Sequence, residues 1–255
     1  MKGHEGWDAY APYYDWENAR TMGRRDVPFW TGVAQRVGGQ VLELGSGTGR
    51  LTVPLRRAGI PIVGIDRSPA MLARVRPRAR RSRTGVPAVT RGDITALPFA
   101  AGSFRMVMAP YGLVQSLLSD VVLARSLREA ARVLVSGGTL GIDLVPDVPK
   151  WRQYTRKVVF FSPRGPRGLP LTLIETVRQD RARGLTTFEQ EYVEGRGRTR
   201  QVTPFTIRFR TLPLPALVSR LERAGFEVDT VLGDYRGQPW DPRADALILL
   251  ARRRT

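Results

Sequence analysis

The sequence predicts a doubly wound α/β fold: a mostly parallel, seven-stranded sheet with helices on both faces, carrying an antiparallel β insert. Three observations predict it. Short apolar runs alternate with helical patterns between residues 40 and 145. A glycine-rich turn joins the first apolar run to the first helix of that series. The texture changes after Pro146 and returns to the α/β pattern at Pro215.

Residues 40–44 form an apolar run that ends in glycines and reads as a buried strand. A helix is expected from Thr48 to Ala58, stopped by Gly59. Residues 61–66 form the second strand, and Ser68-Pro69 supplies an N-cap and first-turn proline for a helix reaching Val75. Residues 87–91 and 104–109 are the next strands. A long helix over 120–134 closes at Ser136-Gly137-Gly138, and a fifth strand covers 139–145. Residues 147–170, rich in Pro and Arg, give no clear placement. Three runs then alternate apolar and polar side chains, at 171–179, 186–193 and 203–211, with Gly-containing turns between them. A helix over 215–224, capped by Gly225, and strands at 226–232 and 244–251 complete the core. The expected organisation is a single domain: an N-terminal helical cap (1–38), a ligand-binding half (39–146), an antiparallel lid (147–211) and a closing segment (212–255).

At 255 residues and 42% hydrophobic, the chain can bury a sizeable core. No apolar run approaches the ~20 residues that span a bilayer, and the N-terminus is not expected to be a secretory signal. Cysteine is absent, which excludes disulfides, zinc–thiolate sites and a Cys nucleophile and points to the cytoplasm. The net charge of +18 invites a nucleic-acid reading. Against it, Lys2, Lys150 and Lys157 are the only lysines, and the arginines are scattered apart from a cluster at Arg76, Arg78, Arg80, Arg81 and Arg83.

Glu43-Leu44-Gly45-Ser46-Gly47-Thr48-Gly49 leaves a buried strand and enters a helix. Its glycines allow a tight turn and close approach to a ligand, and the helix N-terminus offers N–H groups to a carboxylate. A dinucleotide fingerprint would place its third glycine at position 50; Arg50 stands there, which argues against NAD. No Gly-Lys-Ser/Thr follows, which argues against a P-loop. Asp66, ending the second strand, is placed to accept from both hydroxyls of a ribose. Asp93, in the Gly92-Asp93-Ile94 turn after the third strand, can accept from an adenine amino group.

These segments resemble a known family. V-L-E-L-G-S-G-T-G-R resembles the first motif of class I S-adenosylmethionine (SAM)-dependent methyltransferases, and V-G-I-D-R-S-P-A-M-L and R-G-D-I-T-A-L-P-F resemble the second and third. R-E-A-A-R-V-L-V-S-G-G-T-L is similar to the helix and strand that close the family's SAM half. The start, Y-A-P-Y-Y-D-W, and the end, E-R-A-G-F-E-V with G-D-Y-R-G-Q-P-W, are similar to the small-molecule branch. The resemblance implies SAM as cofactor. Gly45, Ser46 and Gly47 would line its methionine part, with Glu43 supporting the loop. Asp66 would take the ribose, Arg67 and Met71 would flank the adenine, and Asp93 and Ile94 would read its edge. Ala109 and Pro110 would sit near the sulfonium, and Tyr14 and Arg20 would close over the cofactor or grip its carboxylate.

A direct in-line displacement to N or O of a small molecule is the expected reaction, with no covalent intermediate. No catalytic base is assigned; the sole histidine is His4. Tyr111, Gln115 and Tyr192 are candidate substrate contacts. The stretch Ala109-Pro110-Tyr111-Gly112 departs from the Asp/Asn-Pro-Pro-aromatic motif of nucleic-acid amino-methyltransferases, and Asn18 is the only asparagine, so no metal is expected. The expected partner is a small-molecule acceptor, with nucleic acid the lesser alternative, no membrane, and a homodimer open. An RNA or ribosome-associated methyltransferase and a non-catalytic SAM-binding protein are the rival readings. The small-molecule reading expects Phe188, Tyr192 or Phe205 of the lid to face a closed pocket beside Pro110.

Overall fold

The computed structural model describes residues 5–83, 85–145 and 152–255. Two helices, α1 (Glu5–Asn18) and α2 (Val27–Val37), precede β1 (Val41–Leu44). Then come α3 (Thr52–Arg57), β2 (Ile62–Asp66), α4 (Pro69–Leu72), α5 (Val75–Arg81), β3 (Ala88–Arg91), β4 (Phe104–Ala109), α6 (Leu113–Ser116), α7 (Asp120–Val133) and β5 (Leu134–Leu144). Four long strands follow: β6 (Tyr154–Ser162), β7 (Leu171–Asp180), β8 (Leu185–Glu194) and β9 (Gln201–Arg210). The helix α8 (Leu214–Arg223) leads to β10 (Phe226–Leu232) and β11 (Leu247–Arg253).

The main sheet has seven strands in the order β10-β11-β5-β4-β1-β2-β3. Strands β1 to β5 pair in parallel, and β11 runs antiparallel to both β5 and β10. The strand order reverses between β1 and β4, so the ligand crevice is expected outside their carboxyl ends. Successive side chains alternate between two cores. Leu42, Leu44, Val107 and Ala109 join the cluster under α7 and α8, while Val41, Met106 and Met108 join Trp30 of α2 and Leu55 of α3 on the other face. The helix α7 shows why one face is buried: Leu123, Leu127, Ala130 and Val133 recur at three- and four-residue spacing, and the Ser119 side chain caps its start.

The second sheet is antiparallel, in the order β6-β7-β8-β9. It has four strands in place of the expected three, because residues 154–162 pair with β7. Other boundaries also differ. The first helix after β1 begins at Thr52, because residues 46–51 are spent turning. The helix expected over 68–75 is two short ones, α4 and α5. Ser136-Gly137-Gly138 does not end a helix but lies inside β5, which starts at Leu134 and slips register against β4. His4 and the Pro146 boundary lie outside the described residues.

Helix α1 is held between the two sheets. Tyr10, Ala11, Tyr13 and Trp16 pack with Met71 on one side and with Leu171, Leu173, Tyr192 and Phe205 on the other. Tyr10 stacks on Phe205 at 4.2 Å and Tyr13 on Tyr192 at 4.6 Å between ring centroids.

The turn after β1 rests directly on β2. The Ser46 amide donates to the Ile65 carbonyl (3.0 Å), and its side chain fills the space where Gly64 has none. A Cβ at Gly64 would lie 2.6 Å from Ser46 Cβ. Gly64→Ala should therefore destabilise by about 1–3 kcal/mol through overpacking. Adding Ser46→Gly removes the opposing atoms, so the pair should be less destabilised than the sum of the single variants. Urea unfolding of the three variants measures this; strict additivity would show that the two residues do not meet.

Candidate functional site

The glycine turn leaves β1 with Gly45, Gly47 and Gly49 all at positive φ (63°, 53° and 75°), a region that a side chain disfavours. The Gly47 amide donates to Asp66 Oδ2 (2.9 Å), and the Ser68 amide donates to Asp66 Oδ1 (2.8 Å). The strand-end carboxylate is thus tied to the loop while part of its surface stays open. Burial pushes the Asp66 carboxyl up, against the pull of these amide donors. A Cβ at Gly47 would meet no atom nearer than 3.9 Å, with Asp66 Oδ2 at 4.0 Å. The loop and the carboxylate therefore border an open cradle. A strand-end carboxylate that can accept from ribose hydroxyls, beside backbone that a ligand can approach closely, fits what SAM would need.

The flanks of the cradle are less uniform. Asp93 Oδ1 accepts from the Thr95 amide and hydroxyl (2.9 Å each), and Arg67 Nη2 is 3.8 Å from Oδ2. Partial burial raises the Asp93 carboxyl, but the Thr95 donors and Arg67 outweigh it and lower it overall. Ile94, Ala109 and Pro110 are buried. Met71 is 2% exposed and belongs to the cluster under α1. The Ser46 side chain turns to Gly64, and its hydroxyl has no partner. Arg20 is exposed: its Nη1 donates to the Trp16 carbonyl (2.7 Å) and its guanidinium lies 4.4 Å from the Trp16 ring centroid.

Beneath the cradle lies a charge cluster that sequence reasoning missed. Arg50, at the position that spoils a dinucleotide fingerprint, is buried and makes a bidentate pair with Asp26, at 2.6 and 2.7 Å. Its guanidinium also lies 5.2 Å from the Tyr111 ring centroid. Tyr14, half-buried beside Arg50, has its phenol pushed up by desolvation, which Arg50 partly opposes. Glu43 accepts from the Thr52 hydroxyl, and burial pushes its carboxyl up to about 8.

The turn after β4 carries Tyr111 and Gly112. Tyr111 adopts φ 59°, unusual for a residue with a side chain, and Gly112 follows at φ 68°. Both amides donate to Asp143 Oδ1. The other oxygen of Asp143 accepts from Tyr235 (3.0 Å) and Trp30 Nε1 (3.3 Å). Burial, with Asp26 nearby, pushes this carboxyl up to about 6. The Tyr111 hydroxyl is 3.2 Å from Thr21 Oγ1, just beyond α1. Gln115 is occupied at both ends by the Val145 backbone (3.0 and 2.9 Å), so it anchors the exit from β5. Tyr192 is fully buried against α1, and its hydroxyl donates to Glu17 and to Gln190 Oε1 (2.9 Å). Phe205 also faces α1, whereas Phe188 packs edge-on against Phe209 at 5.9 Å.

Helix α1 is latched over the glycine turn. Thr48 donates to Asp15 (2.7 Å), Arg78 pairs with Asp15 and donates to the Thr48 carbonyl (3.0 Å), and Ser68 donates to Asp8 (2.5 Å). A signal for some of the missed residues was present. Asp143 is a lone acid in a strand whose neighbours Leu140, Ile142 and Leu144 are buried, and a buried arginine directly behind the glycine turn requires an anion.

The fold is that of class I SAM-dependent methyltransferases, and residues 41–138 match the model of a methyltransferase domain. The chain is 37% identical over 108 residues to a demethylmenaquinone methyltransferase of Tropheryma whipplei, covering 40% of each. The chain thus matches about two fifths of the length of that curated relative. A SAM-dependent methyltransferase from Clostridium acetobutylicum superposes with a TM-score of 0.78 at 13% identity, covering 96% of this chain and 99% of that one. The sugar N-methyltransferase KedS8 from a Streptoalloteichus species superposes with 0.74 at 19% identity, covering 94% and 91%.

The buried acids give a pH signature. Glu43 has a folded value of about 8 against roughly 4.3 unfolded. The folded state therefore holds a proton that the unfolded chain releases as pH rises. The stability this contributes is fully present below about pH 4.3 and is lost as pH rises to about 8, by roughly 5 kcal/mol. Glu43→Gln should flatten the decline in unfolding free energy across that window. An unchanged slope would mean that Glu43 titrates normally.

Proposed function

We propose that this chain is a SAM-dependent methyltransferase acting on nitrogen or oxygen of a small molecule in the cytoplasm. The observation that carries the reading is the open cradle at Gly47 and Asp66, beside which α1 is latched to the glycine turn through Asp15 and Thr48. Gly45 and Gly47 would hold the methionine part of SAM, Asp66 its ribose, and Asp93 its adenine edge. When bound, SAM supplies an electrophilic methyl group on a sulfonium.

The chain's own residues do the rest. Asp143 fixes the backbone of Tyr111 and Gly112, so that the Tyr111 ring stays between Arg50 and the end of α1. The second sheet, β6 to β9, acts as a lid: its buried Tyr192 and Phe205 close on α1 and keep water from the reacting centre. A roof of this kind favours a small acceptor over RNA, which would need an open cleft. Every residue named at the site comes from one chain. Among the described residues no helix is long and apolar enough to cross a membrane.

Calorimetry with SAM and S-adenosylhomocysteine tests the reading. Both should bind, and Asp66→Ala should weaken SAM binding by about 1.5–3 kcal/mol through the loss of charge-assisted hydrogen bonds. NAD should give no heat and no thermal stabilisation, because Arg50 replaces the glycine its fingerprint needs. Binding of NAD in preference to SAM, or an Asp66→Ala variant with full affinity, would overturn the assignment. Transfer of a labelled methyl group to a panel of small amines and alcohols then separates an enzyme from a protein that only binds SAM.

A further inference from the structure

The second sheet has two faces, and α1 takes one of them. On that inner face Leu171, Leu173, Tyr192 and Phe205 pack into the aromatic cluster. Burial alternates along β8, where Phe188, Gln190 and Tyr192 are buried and the residues between them are not. On β9 Phe205 is buried, whereas Val202, Pro204, Thr206 and Arg208 are exposed. Side chains alternate along a strand, so these exposed residues belong to the outer face.

The strand register sets the outer face in rows. In one row Phe161 stands opposite Thr172, Thr172 opposite Val193, and Val193 opposite Val202. In the next row Val158 stands opposite Ile174, Ile174 opposite Glu191, and Glu191 opposite Pro204. All but Thr172 and Glu191 are apolar. Val158 is 56% exposed, Phe161 54% and Val202 38%. An isolated exposed valine is ordinary, but apolar side chains continuous across four paired strands mark a contact surface.

Charge, size and edge shape together select what covers it. Two chains of net charge +18 repel wherever their arginines meet. In these two rows Glu191 is the one charged side chain, and Arg156 pairs with it (2.5 Å). In the row beyond, Glu189 pairs with Arg178 (3.3 Å). The face therefore offers little charge for a polyanion or an acidic protein to read, and it lets two like-charged chains approach. Strands β7, β8 and β9 are ten residues long. Four such strands, about 4.8 Å apart with a rise of about 3.4 Å per residue, present about 650 Å² before side-chain relief is counted. A stable interface takes about 800 Å² from each partner. Strand β6 forms one edge of this sheet and slips register twice against β7, which blunts edge-to-edge pairing and leaves the face as the apolar surface to be covered.

We propose that the outer face of the second sheet binds the same face of a second copy of this chain, sheet on sheet, about a two-fold axis through the Phe161 and Val158 rows. An isologous contact of this kind matches a patch to itself, the commonest plan for soluble oligomers. The cradle at Gly47 and Asp66 lies on the α1 side of the sheet, so both cradles stay clear of the contact. The pairing does not depend on the methyltransferase reading.

Sedimentation of the full chain between about 1 and about 100 μM tests it, a range in which a specific dimer forms. The expected species has twice the 28.5 kDa mass of one chain. Phe161→Asp should weaken the dimer at least about ten-fold, because it buries an unpaired charge at the contact. Val121→Asp, at a valine 74% exposed at the start of α7, should leave the dimer unchanged. Melting curves confirm that each variant is folded. The chain has no cysteine, so Thr172→Cys supplies a single thiol in the patch. A bis-maleimide that bridges two packed sheets, about 10 Å apart, should join it to its copy. A chain that stays monomeric throughout leaves the face to another protein or to solvent and overturns the proposal. A dimer that Phe161→Asp does not weaken, that Val121→Asp weakens equally, or that Thr172→Cys does not cross-link forms elsewhere on the molecule and overturns it too.

Discussion

The site depends on one buried ion pair, Arg50 with Asp26. Arg50 ends the glycine turn and Asp26 precedes α2, so the pair ties the cofactor loop to the helix that covers the opposite core. Arg50 is also the positive charge against which Glu43, Tyr14, Tyr111 and Asp143 are arranged. Removing Asp26 would strand a guanidinium in the interior, a loss of about 3–5 kcal/mol in comparable buried pairs. The arginine that stands where a dinucleotide fingerprint has glycine thus organises the groups beneath the turn.

Around that pair, the two sheets divide the work. The main sheet supplies rigid strand ends bearing Asp66, Pro110 and Asp143. The second sheet supplies the roof, and α1 is the joint between them, apolar and aromatic on its inner faces but with Asp8, Asp15 and Glu17 reaching to three different elements. One helix thus touches the glycine turn, the start of α4 and the second sheet.

The legible parts of the sequence were those where backbone geometry restricts residue choice. Three glycines at positive φ, an acid at a strand end and the period of α7 were readable because each obeys a local rule. Residues 154–162 were not, since β6 slips register twice against β7 and its exposure shows no alternation. The acid network was hidden for another reason: Glu17 meets Gln190 and Tyr192 across more than 170 residues, and no local pattern encodes such a meeting. Asp143 sits in an apolar run that reads simply as a buried strand, and its task appears only once four donors converge on it.

The position of β11 has a consequence for how the molecule assembles. This strand lies inside the main sheet, between β5 and β10, yet it follows the whole four-stranded insert in the chain. The insert is built of neighbouring hairpins and can form from local contacts as it emerges from the ribosome. During that time β5 presents an open, apolar edge that only residues 247–253 can close. Synthesis of the roof therefore delays completion of the floor. While β5 stands unpaired, its edge is open to pairing with the wrong strand.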